Sequence, residues 1–361
     1  MAPAHRMTSV LSGLGLCAFF WILSSAFSLG LSREVTGPFV IQSSGTGHRK
    51  DVRFLAVGDV NLGRVVGQEI LKGDTLYPFR FVRDTFASHD IIFANLESQL
   101  SDQGGETQHP RSNLTFTGPP AGGFSLQRGG ITVVSTANNH ALDYGTRAHS
   151  ETMINLSRAR VKFSGTSTAD SLLFEPLLFL QKGIRFALFS CTDVMNREDS
   201  EWKQYVTPAD SLRLFPRIRS FRGKTDFIIL SYHGGEEYSA KPSEKTKAFA
   251  RAGIEAGVDL FLGHHPHVPH GVEEIKGKLI VYSLGNFVFH QPFNPWTQRS
   301  FALSATISKI AGRTTITRIA CLPVVAGRQP RFVSDTTETR IIMARVKSLS
   351  TLRPEHREWF E

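Results

Sequence analysis

The sequence predicts an α/β fold of mixed sheets with covering helices over residues 51–330, and three observations carry that expectation. Short apolar runs recur along the chain: "VRFLAVG", "DIIFAN", "ITVVST", "DFIILSY", "VDLFLG" and "KLIVYSLGN". Runs apolar at nearly every position suit strands buried on both faces. Amphipathic segments at 146–159 and 243–256 lie between them and read as helices. Finally, "EPLLFLQKGIRFALFS", "GVEEIKGKLIVYS" and "ALSATISKIAGRTTITRIACLPV" read as hairpins with glycine-containing turns.

In chain order, residues 1–33 come first and carry Arg6 followed by no charge from Met7 to Ser32. A basic start and a long apolar stretch predict a signal peptide or an N-terminal membrane anchor, hence an exported, extracytoplasmic protein that is tethered or secreted. Ala26 and Ser28 supply small residues for cleavage, while the surroundings of Cys17 do not match a lipoprotein signal. Residues 34–50, with "QSSGTGHRK", read as a linker. The first strand stops at Gly58 and a helix is expected from about residue 64. Ser243 suits the N-cap of the 243–256 helix and Gly257 its C-terminal stop. Residues 331–361 read as a charged tail, helical or loosely attached.

Hydrophobic residues make up 41% of the chain and charged ones 20%, which excludes a disordered protein. A formal charge of +9 suits anionic partners such as polyanions, phosphates or acidic lipid headgroups. The longest basic run is "HRK" at 48–50 and no zinc-finger or helix-turn-helix pattern is present, so nucleic acid is not an expected partner. Cys191 and Cys321 adjoin strand-like runs, as small buried hydrophobes do, and form no zinc motif.

The residues at the strand ends are more specific. The six runs deliver "DVN", "NLES", "NNH", "HGGEE", "HHPH" and "N" at their C-terminal ends. That edge of an α/β sheet is where sites are built. Asp59, Glu97, Asn138 or Asn139, His140, His233, His265 and His267 mix carboxylate, amide and imidazole donors without thiolate. Such sets suit Mn, Fe or Zn ions rather than calcium or a structural zinc. Seven donors exceed one tetrahedral ion and fit two divalent ions sharing a bridge, about 3.5–4 Å apart, as in displacement at phosphorus.

Local spacing refines the roles. Pro266 excludes a helix, so an extended His265-x-His267 should place both imidazoles on one side, with His264 turned away. His233 precedes two glycines that permit close backbone approach to an ion or ligand, and Glu236 or Glu237 is placed to orient it. Asp143 is expected to orient "NNH" or to cap the next helix. Asp59 has the alternative of capping the helix near 64, and Asn286 that of a left-handed turn. Arg64 suits an anionic oxygen, and His270 is a weaker candidate.

The ordered set "FLAVGDVNLGR", "FANLES", "TANNHALDYG", "SYHGGEEY", "GHHPHVPHGVE" and "YSLGNFVF" closely resembles the CapA family of poly-γ-glutamate capsule synthesis proteins, which are related to the calcineurin-like metallophosphoesterases. The resemblance covers about residues 52–325 and implies a sandwich of two mixed sheets flanked by helices. It implies Asp59, Glu97, Asn139, His233, His265 and His267 as metal ligands, with Asn139 the bridging amide and Glu97 a substitute bridge. His140 matches the catalytic histidine, supported by Asn139 and Asp143. Asn61 stands where the superfamily has a histidine, and Ala141 where it has a glutamate. Asn61, Arg64, Asn138, Glu236 and Asn286 are left as substrate-side residues.

The function this implies is synthesis, attachment or release of an anionic envelope polymer through a metal-dependent, hydrolase-like site. Its partners would be that polymer or a phosphate-containing substrate, membrane-bound synthase subunits, and the membrane itself. Two other functions suit the same residues: a non-catalytic polymer-binding or synthase-accessory protein with structural metal, and a secreted phosphoesterase of small substrates.

Overall fold

The computed structural model describes residues 49–334 and 337–353. The expected leader or anchor and nearly all of the linker lie outside the described residues. Among the described residues, no helix is long and apolar enough to cross a membrane.

Strand β1 (Lys50–Val60) shows why the runs are apolar throughout. Val52, Phe54 and Ala56 point into a core between two sheets. Leu55 and Val57 point the other way, into a core beneath helices. From Phe54 to Val60 both faces of the strand are dry, so the period-2 alternation of its exposed start, where Arg53 faces solvent, does not continue.

In the first sheet β1 runs parallel to β2 (Ile91–Leu96), which is followed by β5 (Val133–Ser135) and β6 (Lys162–Ser164). On its other side β1 pairs antiparallel with β14 (Arg299–Ile310), then β15 (Arg313–Val325) and β16 (Arg331–Phe332). The short β13 (Asn286–Val288) pairs with the end of β1. The second sheet runs β11 (Val272–Ile275), β12 (Lys278–Val281), β10 (Leu260–His264), β9 (Phe227–His233), β8 (Ile184–Thr192) and β7 (Leu177–Gln181). Strands β12, β10, β9 and β8 are parallel, and antiparallel strands close both edges. A separate ribbon joins β3 (Gln99–Leu100) to β4 (Thr117–Gly118).

Helices α1 (Arg64–Leu71), α2 (Arg83–Ala87), α3 (Gly122–Gly129) and α4 (Gly145–Arg158) cover the first sheet through Val66, Ile70, Phe86, Leu126 and Leu156. Helices α5 (Ser211–Phe221) and α6 (Glu244–Ala256) cover the second through Leu214, Ile218, Ala250 and Ile254. The result is the expected two-sheet sandwich with helices on both outer faces. For α6, the Ser243 side chain accepts from the Thr246 N–H, and Gly257 ends the helix at φ +116°. Cys191 and Cys321 are free and buried, and burial pushes the Cys321 thiol up to about 12.

All three hairpins form, with Lys182–Gly183, Lys276–Gly277 and Ala311–Gly312 at positive φ in their turns. Successive left-handed residues give the turn whose twist matches that of paired strands. The segment expected as a tail contains α7 (Thr337–Ser348), whose Ile342 and Val346 are fully buried in the core between the sheets. Each such side chain contributes about 1.5–3 kcal/mol, so packing continues past residue 331 instead of ending there.

Candidate metal centre

The parallel strands of both sheets end at one edge, and register fixes which side chains meet there. Asp59 pairs with Asn95 on one side and Asn286 on the other. His233 pairs with His264 in the second sheet. Gly58 permits this approach, because a Cβ there would lie 1.8 Å from the Gly285 carbonyl oxygen. Asp59 N–H bonds that same oxygen at 3.0 Å.

Asp59, Glu97 and His233 each bring one donor atom within 4.8 Å of the others, and all three are buried. Asn95 sits among them. Its Nδ2 lies 2.9 Å from Asp59 Oδ1, 3.2 Å from Glu97 Oε2 and 3.2 Å from His233 Nδ1. Two amide hydrogens thus face three acceptors, one more than they can satisfy. Burial pushes the Asp59 carboxyl up, but hydrogen bonds from His264 and His267 outweigh it and hold it well below the usual range. Glu97 goes the other way: burial, then the neighbouring Asp59 charge, push it well above. Its Oε1 has no hydrogen-bond partner. Burial also pushes His233 well below the ordinary imidazole range.

His265 and His267 converge as expected, but by a different backbone. Their φ angles are +94° and +59°, so the segment is a left-handed turn and not an extended strand. Bulky residues rarely adopt these angles, and such strain collects where a site fixes side chains. The two rings lie 6.0 Å apart, and His265 is 4.8 Å from His233. His265 Nδ1 is buried without a partner. His267 Nδ1 meets Asn286 Oδ1 at 2.9 Å, and its Nε2 is 3.6 Å from Glu97 Oε1. Asn286 is therefore a β13 residue that holds His267, not a left-handed turn residue. His264 turns from this pair toward Asp59 Oδ1, at 3.1 Å.

The stretch 138–144 is itself a turn, and its side chains serve the site from it. Asn138 holds the turn: its Nδ2 donates to the Leu96 carbonyl and its Oδ1 accepts from His140 N–H. Asn139 Oδ1 accepts from His233 Nε2 at 2.8 Å, and its Nδ2 donates to Asn196 Oδ1. His140 Nδ1 lies 2.8 Å from Asp143 Oδ2, its ring stacks on Phe116 at 4.1 Å, and its Nε2 is 3.9 Å from Glu97 Oε1. Of the two roles open to Asp143, orienting the histidine is the one observed. It does not cap α4.

The remaining candidates divide. Gly63 occupies the N-cap of α1, so Asp59 does not. Asn61 Oδ1 accepts from Gly63 N–H at 2.7 Å. Arg64 places its guanidinium 4.7 Å from the Phe116 ring centre. Glu236 lies exposed, and the ring nitrogens of His233 meet Asn95 and Asn139, which corrects the expectation that Glu236 or Glu237 orients it. A Cβ on Gly234 would lie 2.1 Å from Asp193 Oδ1, so that glycine accommodates the protein's own side chain. His270 bonds the Ser239 carbonyl, away from the cluster. Asn95 and Asn196 are site residues that the strand-end pattern alone does not mark. Asn95 is in "FANLES", but there Glu97 is the more conspicuous donor.

These residues fit divalent metal. Two buried carboxylates this close repel unless a cation sits between them. The orphaned Glu97 Oε1 and His265 Nδ1 are donor atoms without another use. Oxygen and imidazole donors without thiolate suit a borderline transition metal.

Comparison with known proteins places the chain in a family. Residues 53–291 match the family model described as bacterial capsule synthesis protein PGA_cap. The PGA biosynthesis protein CapA of Bacillus subtilis (strain 168) is 30% identical over 245 residues, spanning 67% of this chain and 63% of that protein. The capsule biosynthesis protein CapA of Bacillus anthracis is 27% identical over 312 residues, spanning 84% and 75%. A probable polyglutamine synthesis accessory protein of Mycobacterium tuberculosis (strain ATCC 25618 / H37Rv) is 25% identical over 213 residues, 55% of each chain. Among solved structures, a calcineurin-like phosphoesterase from Bacillus subtilis aligns with TM-score 0.43 and 11% identity over 87% of this chain and 99% of that one. With the model matching well over half of the sequence and the strand-end donors in place, the chain belongs to the bacterial capsule synthesis family of CapA-like proteins.

Proposed function

We propose that this chain acts outside the cytoplasmic membrane in the synthesis, attachment or release of an anionic capsule polymer of the poly-γ-glutamate type, through a metal-dependent, hydrolase-like centre. One observation carries the reading: Asp59, Glu97 and His233 converge, with Glu97 Oε1 left unpartnered between Asp59 and the histidines. Asp59, Glu97, Asn139, His233, His265 and His267 would hold the metal. When bound, divalent ions supply Lewis acidity, polarising a phosphoryl or acyl oxygen and favouring water as nucleophile near neutral pH.

The chain's own residues do the rest. Asp143 accepts the Nδ1–H of His140 and leaves Nε2 as the atom that takes or gives a proton at the leaving group. Asn286 fixes His267, and His264 fixes Asp59. Phe116 and Phe289 pack against His140 and His267 and keep water from their flanks.

Metal content and turnover test this together. The purified full chain is expected to retain a transition metal and to hydrolyse a generic phosphodiester with added Mn²⁺. His265→Ala with His267→Ala should lose most of that metal. Wild-type stoichiometry in the double variant would place the metal elsewhere. The mycobacterial relative is named as a probable accessory protein, which favours a second reading in which the cleft binds polymer without turnover. Metal and polymer binding without hydrolysis would support it.

Export rests on the uncharged stretch from Met7 to Ser32. A reporter active only outside the cytoplasm, fused after Glu361, should give signal. Signal confined to a cytoplasm-dependent reporter would remove this part of the proposal.

A further inference from the structure

A cavity of about 200 Å³ opens beside the centre, between α1 and the residues after β13. Arg64, Arg328, His290, Gln108 and Asn61 supply its polar lining, and no carboxylate lines it. The first turn of α1 contributes Gly63 to Val66, and no side chain caps this helix. The Gly63 and Arg64 N–H groups are already bonded to Asn61 Oδ1 and the Thr107 carbonyl, so what the helix start offers an anion is its dipole. Arg64 adopts the left-handed φ of +53°, and its Nε is buried without a partner. Its Nη2 donates to a neutral acceptor, the Asn113 carbonyl. Its guanidinium is held over Phe116 and Phe289, and Glu97 and Asp143 act on it through space rather than by an ion pair.

The same two aromatics join the cavity to the centre. Phe116 stacks on His140 at 4.1 Å, and Phe289 lies 4.9 Å from His267. A chain segment reacting at the metal would therefore have its neighbouring unit beside Arg64. The cavity is smaller than the roughly 300–1,000 Å³ of sites that enclose a whole ligand. It suits a single acidic side group.

We propose that this cavity is a carboxylate subsite, in which Arg64 and Arg328 bind the free carboxylate of one residue of a polyanionic substrate while an adjacent linkage lies at the metal centre. Guanidinium forks match carboxylates in two-point geometry, and the absence of acids in the lining leaves both available. The substrate class rests on the capsule-polymer reading above, whereas the anion preference rests on the cavity itself. Arg328 is exposed, so its replacement does not disturb the core.

The test compares the full chain with Arg328→Glu in three respects: binding of poly-γ-glutamate oligomers, of their neutral poly-γ-glutamine counterparts, and of inorganic phosphate, with metal content measured alongside. The wild type should prefer the acidic oligomer. Arg328→Glu should weaken it by about tenfold or more and flatten its salt dependence, with metal content unchanged. Equal binding of acidic and neutral oligomers, or an unaffected Arg328→Glu, overturns the subsite. Phosphate binding that Arg328→Glu abolishes, without oligomer binding, assigns the cavity to a phosphoryl group and also overturns it. A metal-free wild type whose oligomer binding still depends on Arg328 sinks the metal centre and leaves the subsite standing.

Discussion

Glu97→Gln is expected to make the metal-free protein more stable and the metal-bound form hard to reach. The side chain is fully buried beside Asp59, and its Oε1 has no partner. Glutamine keeps the shape and removes the charge. Without metal, that relief is on the order of 1–3 kcal/mol, the scale of one uncompensated buried polar or charged group. With metal, an anionic ligand is gone. Loss of supporting groups around a ligand set costs roughly 10–100-fold in affinity, and loss of a ligand should cost at least that.

The pH dependence supplies the sign. Burial and Asp59 raise the Glu97 carboxyl in the folded, metal-free protein. On raising pH above the ordinary carboxylate range, the unfolded chain releases this proton before the folded one does. Stability contributed by Glu97 therefore falls as pH rises toward its raised folded value. Melts in excess chelator across this window should show the fall in wild type and its loss in Glu97→Gln. A variant that melts lower in chelator at every pH and keeps its metal would make Glu97 a structural hydrogen-bond acceptor.

How much of this could be read from the sequence depended on whether a feature was local. Ser243 and Gly257 act on their own helix, and the Lys–Gly and Ala–Gly turns act within their own hairpins. Apolar runs identified β1, β2, β9 and β10 because both of their faces are covered. The polar residues after them meet at one edge of the two sheets. Asn95 escaped notice because its partners Asp59 and His233 are 36 and 138 positions away in the chain. Asn196 sits in a loop without periodic pattern. The two-residue strands β3 and β4 are too short to carry a period. In "HHPH", Pro266 excluded a helix, but nothing local distinguished an extended strand from a left-handed turn. For α7, charges flanking "IIMARV" concealed the i, i+4 pair Ile342 and Val346, whose burial depends on the sheets it covers.

His140→Ala and Asn139→Ala should fail in different ways, although both residues lie in the same turn. His140 holds Asp143 through Nδ1 and presents Nε2 toward Glu97, 3.9 Å from Oε1. Asp143 Oδ2 also accepts from Phe116 N–H at 3.0 Å, so this link between the turn and its neighbour survives loss of the imidazole. His140→Ala should therefore keep fold and metal and lose turnover by ~10²–10⁴-fold, the usual contribution of general acid–base assistance. Asn139→Ala removes the oxygen that accepts from His233 Nε2 at 2.8 Å. It should weaken metal binding as well as turnover, because that amide is a ligand in the proposed set and also sets the orientation of a second ligand. Metal content and phosphodiester hydrolysis per folded molecule, measured on both variants, separate the two modes. A purely local role predicts the reverse pattern, with rates per folded molecule intact and a stability loss of about 1 kcal/mol, the scale of one lost turn or capping hydrogen bond. If both variants hydrolyse the diester at the wild-type rate and only melt earlier, His140 has no part in proton transfer and the turn is merely structural.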